Sequence, residues 1–185
     1  MEKWKVLERE YLYQTPFGNL RKDKCQVKAD YIIDAYHVNE FSDWVNAVVI
    51  TKQSEMVFVK QYRHGAGDVF YEIPAGAPEK GETYAEAIKR EVLEETGYAS
   101  KTEPIRLGEF FVNPATQNNK VITFLIPNAM KVSEQNLVEG EVIEVFKTPF
   151  RKVETMVKTE RLRQLFSVTA YHLAKNYFMG EGEGL

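Results

Sequence analysis

The stretch Gly76-Ala77-Pro78-Glu79-Lys80-Gly81-Glu82-Thr83-Tyr84-Ala85-Glu86-Ala87-Ile88-Lys89-Arg90-Glu91-Val92-Leu93-Glu94-Glu95-Thr96-Gly97-Tyr98 decides the fold. Residues 74–81 carry too much proline and glycine for regular structure and read as a loop. Thr83 can then cap a helix, since Glu86 stands three residues on as in a capping box, and Gly97 supplies the left-handed residue that ends one about fourteen residues later. On that helix Glu91, Glu94 and Glu95 fall at i, i+3 and i+4, so three carboxylates project from one face. Like charges at this spacing destabilise a helix by roughly 0.2–0.5 kcal/mol per pair, with Arg90 and Lys89 nearby to offset them. A hard divalent cation reverses the sign, because an oxygen-only cluster suits Mg²⁺ or Mn²⁺. The plain alternative is a solvated acidic face, which for three glutamates in an arbitrary helix is the commoner case.

Outward from this stretch, 44–50 reads as a buried strand, with 56–63 as its hairpin partner across Lys52-Gln53-Ser54-Glu55. A further strand at 69–73 runs into the loop. Strands are expected at 107–112, 121–126 and 142–146, and Pro149 suits the first turn of another helix. The last helix shows the clearest period: Leu162, Leu165, Phe166, Thr169, Ala170, Leu173 and Tyr177 follow the i, i+3, i+4, i+7 template and read as core packing. Residues 1–40 read as short extended segments around a Thr15-Pro16-Phe17-Gly18 turn, a small antiparallel β-sheet appended to a core domain at 41–179. Residues 180–185 read as a flexible tail.

The chain of 185 residues is 44% hydrophobic and 28% charged, enough to bury a sizeable core. Its net charge of −3, with both signs interspersed, argues against a nucleic-acid or anionic-membrane surface. One cysteine, Cys25, excludes an intramolecular disulfide and any multi-cysteine zinc site, and reads as a small buried hydrophobe. Acidic residues near the start do not fit a signal peptide, and no apolar run is long enough to span a bilayer, so the expected compartment is the cytoplasm.

The spacing Gly76, five residues, Glu82, seven residues, Arg90-Glu91, an apolar residue, one more, Glu94-Glu95, one more, Gly97 and an apolar residue resembles the Nudix box in full. Seven fixed identities at roughly 6% usage each give a chance match on the order of one in a hundred million per start. Tyr98 is the one loose position, aromatic where the family usually has an aliphatic residue. The resemblance implies a Nudix α/β/α sandwich with a mixed sheet, and a Mg²⁺-dependent hydrolase, with Mn²⁺ as a substitute, of nucleoside diphosphates linked to another moiety. It implies Glu91 and Glu95 as metal ligands, Glu94 as a further ligand or orienting carboxylate, Glu82 acting from behind, and Arg90 holding the glutamates by charge-assisted hydrogen bonds.

Flanking features resemble the ADP-ribose pyrophosphatase and nucleoside diphosphate sugar branch. They are Gln61-Tyr62-Arg63, Glu72-Ile73-Pro74-Ala75-Gly76, Pro114 sixteen residues after Tyr98, and Glu139-Gly140-Glu141. The likeness implies the Ala75 carbonyl and Glu141 as further metal ligands, Glu139 as the general base, and Arg63, Glu72 and Pro114 at the substrate. The branch usually follows that proline with glycine. This chain has Asn113-Pro114-Ala115-Thr116-Gln117-Asn118-Asn119 instead, which leaves ADP-ribose, GDP-mannose or another nucleotide sugar open. His64 reads as locally satisfied, and Trp44 as packing rather than a base-stacking ring.

In this branch the residues before the core commonly form a sheet that exchanges across a two-fold dimer and helps bind the adenine end, so a homodimer is expected. The alternative from a different class is a Nudix-fold sensor that holds a nucleotide without cleaving it. An intact Arg90, Glu91, Glu94 and Glu95 argues against it, since binding alone does not require clustered negative charge.

Overall fold

The computed structural model describes residues 1–180. The expected tail at 181–185 lies outside the described residues, and Gly180 closes the last helix. The chain divides into two compact units, Met1–Asp43 with Phe110–Lys120, and Trp44–Glu109 with Val121 onward.

In the first unit, β1 (Lys5–Thr15), β2 (Gly18–Lys28) and β3 (Tyr31–Glu40) form an antiparallel sheet in that order. The turn falls where Pro16 sets it: Thr15 pairs with Gly18, and the Thr15 hydroxyl donates to the Gly18 carbonyl at 2.9 Å. These strands are longer than the short segments expected. Register shifts at Val6/Glu8 and Tyr11/Tyr13 break the period-two pattern by which a long strand is read from sequence. Buried Asp23 accepts from Arg9 and Arg21, each at 3.1 Å, and Cys25 is buried beside it, as a small apolar residue would be. Segment 110–120 joins this unit through Asn39 N–H, which donates to the Thr116 carbonyl at 2.8 Å.

The remaining elements are β4 (Trp44–Thr51), β5 (Glu55–Arg63), a 3₁₀ turn at His64–Ala66, β6 (Asp68–Glu72), β7 (Ala75–Gly76), α1 (Tyr84–Thr96), β8 (Tyr98–Ala99), β9 (Ile105–Phe111), β10 (Lys120–Lys131), β11 (Glu144–Pro149), α2 (Phe150–Lys158) and α3 (Leu165–Gly180). The sheet runs β11-β5-β4-β10-β8, with β6 on β5, β7 on β4 and β9 on β10. It is mixed, because β4 and β10 pair in parallel while β4 and β5 pair antiparallel. Alternation along the strands sorts the core onto two faces. Val45, Ala47, Val49, Val57, Ile122, Phe124 and Ile126 meet Ala87, Ile88 and Val92 of α1. Val48, Ile50, Met56, Phe58 and Leu125 meet α2 and α3 through Phe150, Val153, Tyr171 and Ala174. This is the expected α/β/α sandwich.

Three local expectations need correction. The strand at 142–146 lies at Glu144–Pro149, so Pro149 ends that strand and stands as the N-cap of α2 rather than in its first turn. The last helix begins at Leu165, because the Gln164 side chain accepts from the Ser167 N–H at 2.7 Å and caps it there. Its buried stripe is Ser167, Ala170, Tyr171 and Ala174, whereas Leu165 is 68% exposed. Of the expected stripe, Leu162 and Ala170 are buried and Tyr177 packs against the same cluster, while Ser167, Tyr171 and Ala174 complete the face in place of Leu165. Among the described residues no helix is long and apolar enough to cross a membrane.

Candidate active site

The far edge of β4 is shared: β5 pairs with Val49 and Ile50, whereas β7 pairs with Val45 and Asn46. Ala75 and Gly76, expected in a loop, are thereby fixed to the central strand and held against α1. The helix starts through a complete capping box, with Thr83 N–H donating to the Glu86 carboxylate at 2.9 Å and Glu86 N–H donating to the Thr83 hydroxyl at 3.2 Å. It ends at Gly97, whose φ of 69° is left-handed and whose Cβ, if present, would sit 2.1 Å from the Ser133 carbonyl.

Arg90 organises the acidic face. Its Nε and Nη2 bind Glu82 at 2.8 and 3.0 Å, and Nη1 reaches Glu91 at 2.9 Å and Glu94 at 3.1 Å. Nη2 also donates to the Ala77 carbonyl at 3.2 Å. The guanidinium holds the Glu82 carboxyl down at about 2, and Glu82 in turn raises the pKa of Arg90. Glu91 and Glu95 go the other way. Burial pushes both up, Glu95 to about 8, although the Ala75 N–H donates to Glu95 at 3.1 Å. Directly facing Glu91 is Gly76, at a distance that leaves no room for a side chain.

The structure thus brings Ala75, Glu82, Arg90, Glu91, Glu94 and Glu95 together. Arg63 and Glu72 lie in the same unit, joined in a bidentate pair at 2.9 and 2.6 Å. Arg63 is therefore held by buried Glu72, which raises its pKa further. The turn Glu139-Gly140-Glu141 is exposed, with Gly140 at φ 93°. The charge of Glu141 acts on Glu91, Glu95 and Arg63. Pro114 belongs to the first unit, in an exposed turn where Thr116 N–H donates to the Asn113 carbonyl at 3.0 Å. His64 is exposed, 3.5 Å from the Tyr62 hydroxyl.

As placed, no group of three His, Cys, Asp or Glu side chains among the described residues is gathered closely enough to hold a metal ion. Arg90 draws Glu91 and Glu94 to itself, Glu95 turns to Ala75, and Glu141 folds back onto Val138 N–H at 3.3 Å. The donor set nevertheless fits a hard cation: it is all oxygen, Glu95 is buried and Glu91 half-buried where holding charge is costly, and a Cβ on Gly76 would fill the space that the Glu91 carboxylate occupies.

Two features escaped the sequence reading. Gln135 donates to the Glu95 carbonyl at 2.7 Å and to the Ile143 carbonyl at 3.1 Å, tying the end of α1 to the approach to β11. No local pattern announces it. A cavity of about 380 Å³ is lined by Trp44, Asn46, Arg63, Phe70, Glu72 and Phe166, among others. Asn46 interrupts an apolar strand, but the convergence of the other walls has no local signature.

A family profile described as the NUDIX domain matches residues 42–168. The chain belongs to the Nudix family. Among curated relatives, the ADP-ribose pyrophosphatase of Bacillus subtilis (strain 168) is 31% identical over 129 residues, covering 69% of this chain and 68% of that protein. The GDP-mannose pyrophosphatase of Yersinia pestis (strain Pestoides F) is 27% identical over 173 residues, covering 86% and 85%. A solved crystal structure of an ADP compounds hydrolase superposes with a TM-score of 0.86 at 16% identity, over 100% of this chain and 98% of that one, so the two share a fold.

Proposed function

We propose that this Nudix hydrolase is a Mg²⁺-dependent pyrophosphohydrolase that cleaves ADP-ribose to AMP and ribose 5-phosphate. The observation that carries the reading is the Arg90-held carboxylate face opposite Gly76, with Arg63 and a ligand-sized cavity in the same unit. The Ala75 carbonyl, Glu91, Glu95 and Glu141 would hold the cation. When bound, it neutralises the diphosphate and stabilises the charge gathering on its oxygens. Arg63 pairs with a phosphate oxygen while Glu72 keeps its guanidinium oriented. Glu139 takes a proton from the attacking water. The water oxygen bonds to one phosphorus as the bridging P–O bond breaks.

GDP-mannose is the second substrate to be weighed, because the Yersinia relative named for it matches a larger share of this chain than the Bacillus one does. A hydrolysis screen with Mg²⁺ over ADP-ribose, GDP-mannose, UDP-glucose, diadenosine polyphosphates and nucleoside triphosphates, with products identified, tests the reading. Turnover of triphosphates with none of any diphosphate sugar overturns it. Residues 1–40 supply the contact of a two-fold dimer, a reading supported by exposed Val6, Leu7, Tyr11, Leu12 and Tyr13 on β1.

A further inference from the structure

Asn46 is 1% exposed, yet neither its Nδ2 nor its Oδ1 has a hydrogen-bond partner among the described residues. A buried amide left unpaired is costly to a fold and calls for an explanation. Asn46 lies on the wall of the 380 Å³ cavity, on the α3 side of the sheet with Phe166 and Ser167, and pairs in register with Ala75. The polar side chains around it are engaged. Arg63 and Glu72 bind each other, the Gln164 carbonyl accepts from Ser167, and the Ser167 hydroxyl accepts from Ile73 N–H at 3.1 Å. Asn46 therefore offers a donor and an acceptor side by side, both unspent.

The other walls say what kind of group would meet that amide. Trp44, Phe70 and Phe166 are partly exposed in the cavity, and Arg163 lies over Phe70, 4.9 Å from its ring centre. Aromatic walls suit a flat ring, and an amide pairs bidentately with a base edge that presents a donor beside an acceptor. A sugar would ask for polar partners on several sides. We propose that this cavity seats the purine base of the substrate and that Asn46 reads its edge. The inference rests on the reading of the chain as a nucleoside diphosphate hydrolase, and it puts the base between the sheet and α3, beside Arg63 and Ala75, rather than on residues 1–40.

Equilibrium binding without metal or turnover separates this from the reaction itself. AMP and ribose 5-phosphate are titrated into the full chain by calorimetry, alongside Asn46→Leu, which is close in size and apolar, and Asn46→Asp, which keeps the shape and loses the donor. Wild type should bind AMP at least tenfold more tightly than ribose 5-phosphate. Asn46→Leu should weaken AMP by about 10- to 100-fold, leave ribose 5-phosphate unchanged, and melt at the same or a higher temperature. A merely structural amide would instead lower the melting temperature. Asn46→Asp should weaken AMP as well and carries the test if the leucine variant does not fold. Unchanged AMP affinity in both variants overturns the proposal, as does equal weakening of AMP and ribose 5-phosphate. If wild type shows the predicted AMP binding but hydrolyses no nucleoside diphosphate compound, the reaction assignment fails while the base site stands.

Discussion

A methyl group on Gly76 would lie 2.1 Å from the Glu91 carboxylate. What it would strike is the far end of a flexible side chain rather than backbone. Gly76→Ala should therefore fold and push Glu91 out of place. The expected outcome is a Mg²⁺ concentration for half activity raised about 10- to 100-fold, as for the loss of a group that orients a ligand, with the melting temperature nearly unchanged. A metal titration of activity beside a thermal melt reads both, and an unchanged Mg²⁺ requirement would separate Glu91 from the metal.

Glu139→Gln and Glu141→Gln should fail in different ways. Loss of a general base should lower kcat by about 10²–10⁴ with the Mg²⁺ requirement nearly constant. Loss of an oxygen ligand should raise the requirement, with activity partly recovered in excess metal. Electrostatics favours Glu141 as a ligand, since its charge is felt by Glu91 and Glu95. If Glu139→Gln turns over at the wild-type rate, the base lies elsewhere.

Glu154 on α2 bridges Lys158 and Lys175, each at 2.8 Å, and so ties α2 to α3. Its hydrogen bonds to the two lysines pull its carboxyl down to about 2 from 4.5. A carboxyl lowered in the folded state stabilises above its unfolded value and loses that contribution as pH falls through the folded one. Urea midpoints should therefore decline between about pH 4.5 and about pH 2, and Glu154→Gln should flatten part of that slope. The effect should be small, because the bridge is exposed and screened by salt. Equal slopes for both proteins would mean that the bridge contributes nothing measurable.

Light scattering at micromolar concentration should give twice the chain mass, since a small sheet whose edge strand exposes Val6, Leu7, Tyr11, Leu12 and Tyr13 needs a partner surface. Val6→Asp with Leu12→Asp should halve it. A mass of one chain for the unaltered protein removes the dimer reading.

Legibility followed locality. The capping box at Thr83, the Gly97 stop and the spacing of Glu91, Glu94 and Glu95 all lie within one helix, so their geometry is set by residues a few positions apart. The β7 pairing of Ala75 and Gly76 with Val45 and Asn46 was hidden inside a Pro/Gly stretch, because the partner that makes it a strand lies far back in the chain. The α3 stripe misled for another reason. Bulk and period mark Leu165 for burial although it is exposed, whereas the face that packs interleaves small Ser167, Ala170 and Ala174 with Tyr171. The cavity required knowing that Trp44, Phe70 and Phe166 converge, and no sequence interval carries that.

The parallel pairing of β4 with β10 also sets a timetable for biogenesis. Trp44 cannot find its partner until Val121 has been made, and at about 5–20 residues per second that wait lasts several seconds. In the interval the nascent chain displays the valine-rich edge of β4, while α1, thirteen residues long, is marginal without the sheet it packs on. The acidic helix is thus translated early and ordered late, and a ribosome that stalls between the two strands leaves an aggregation-prone edge for chaperones to cover.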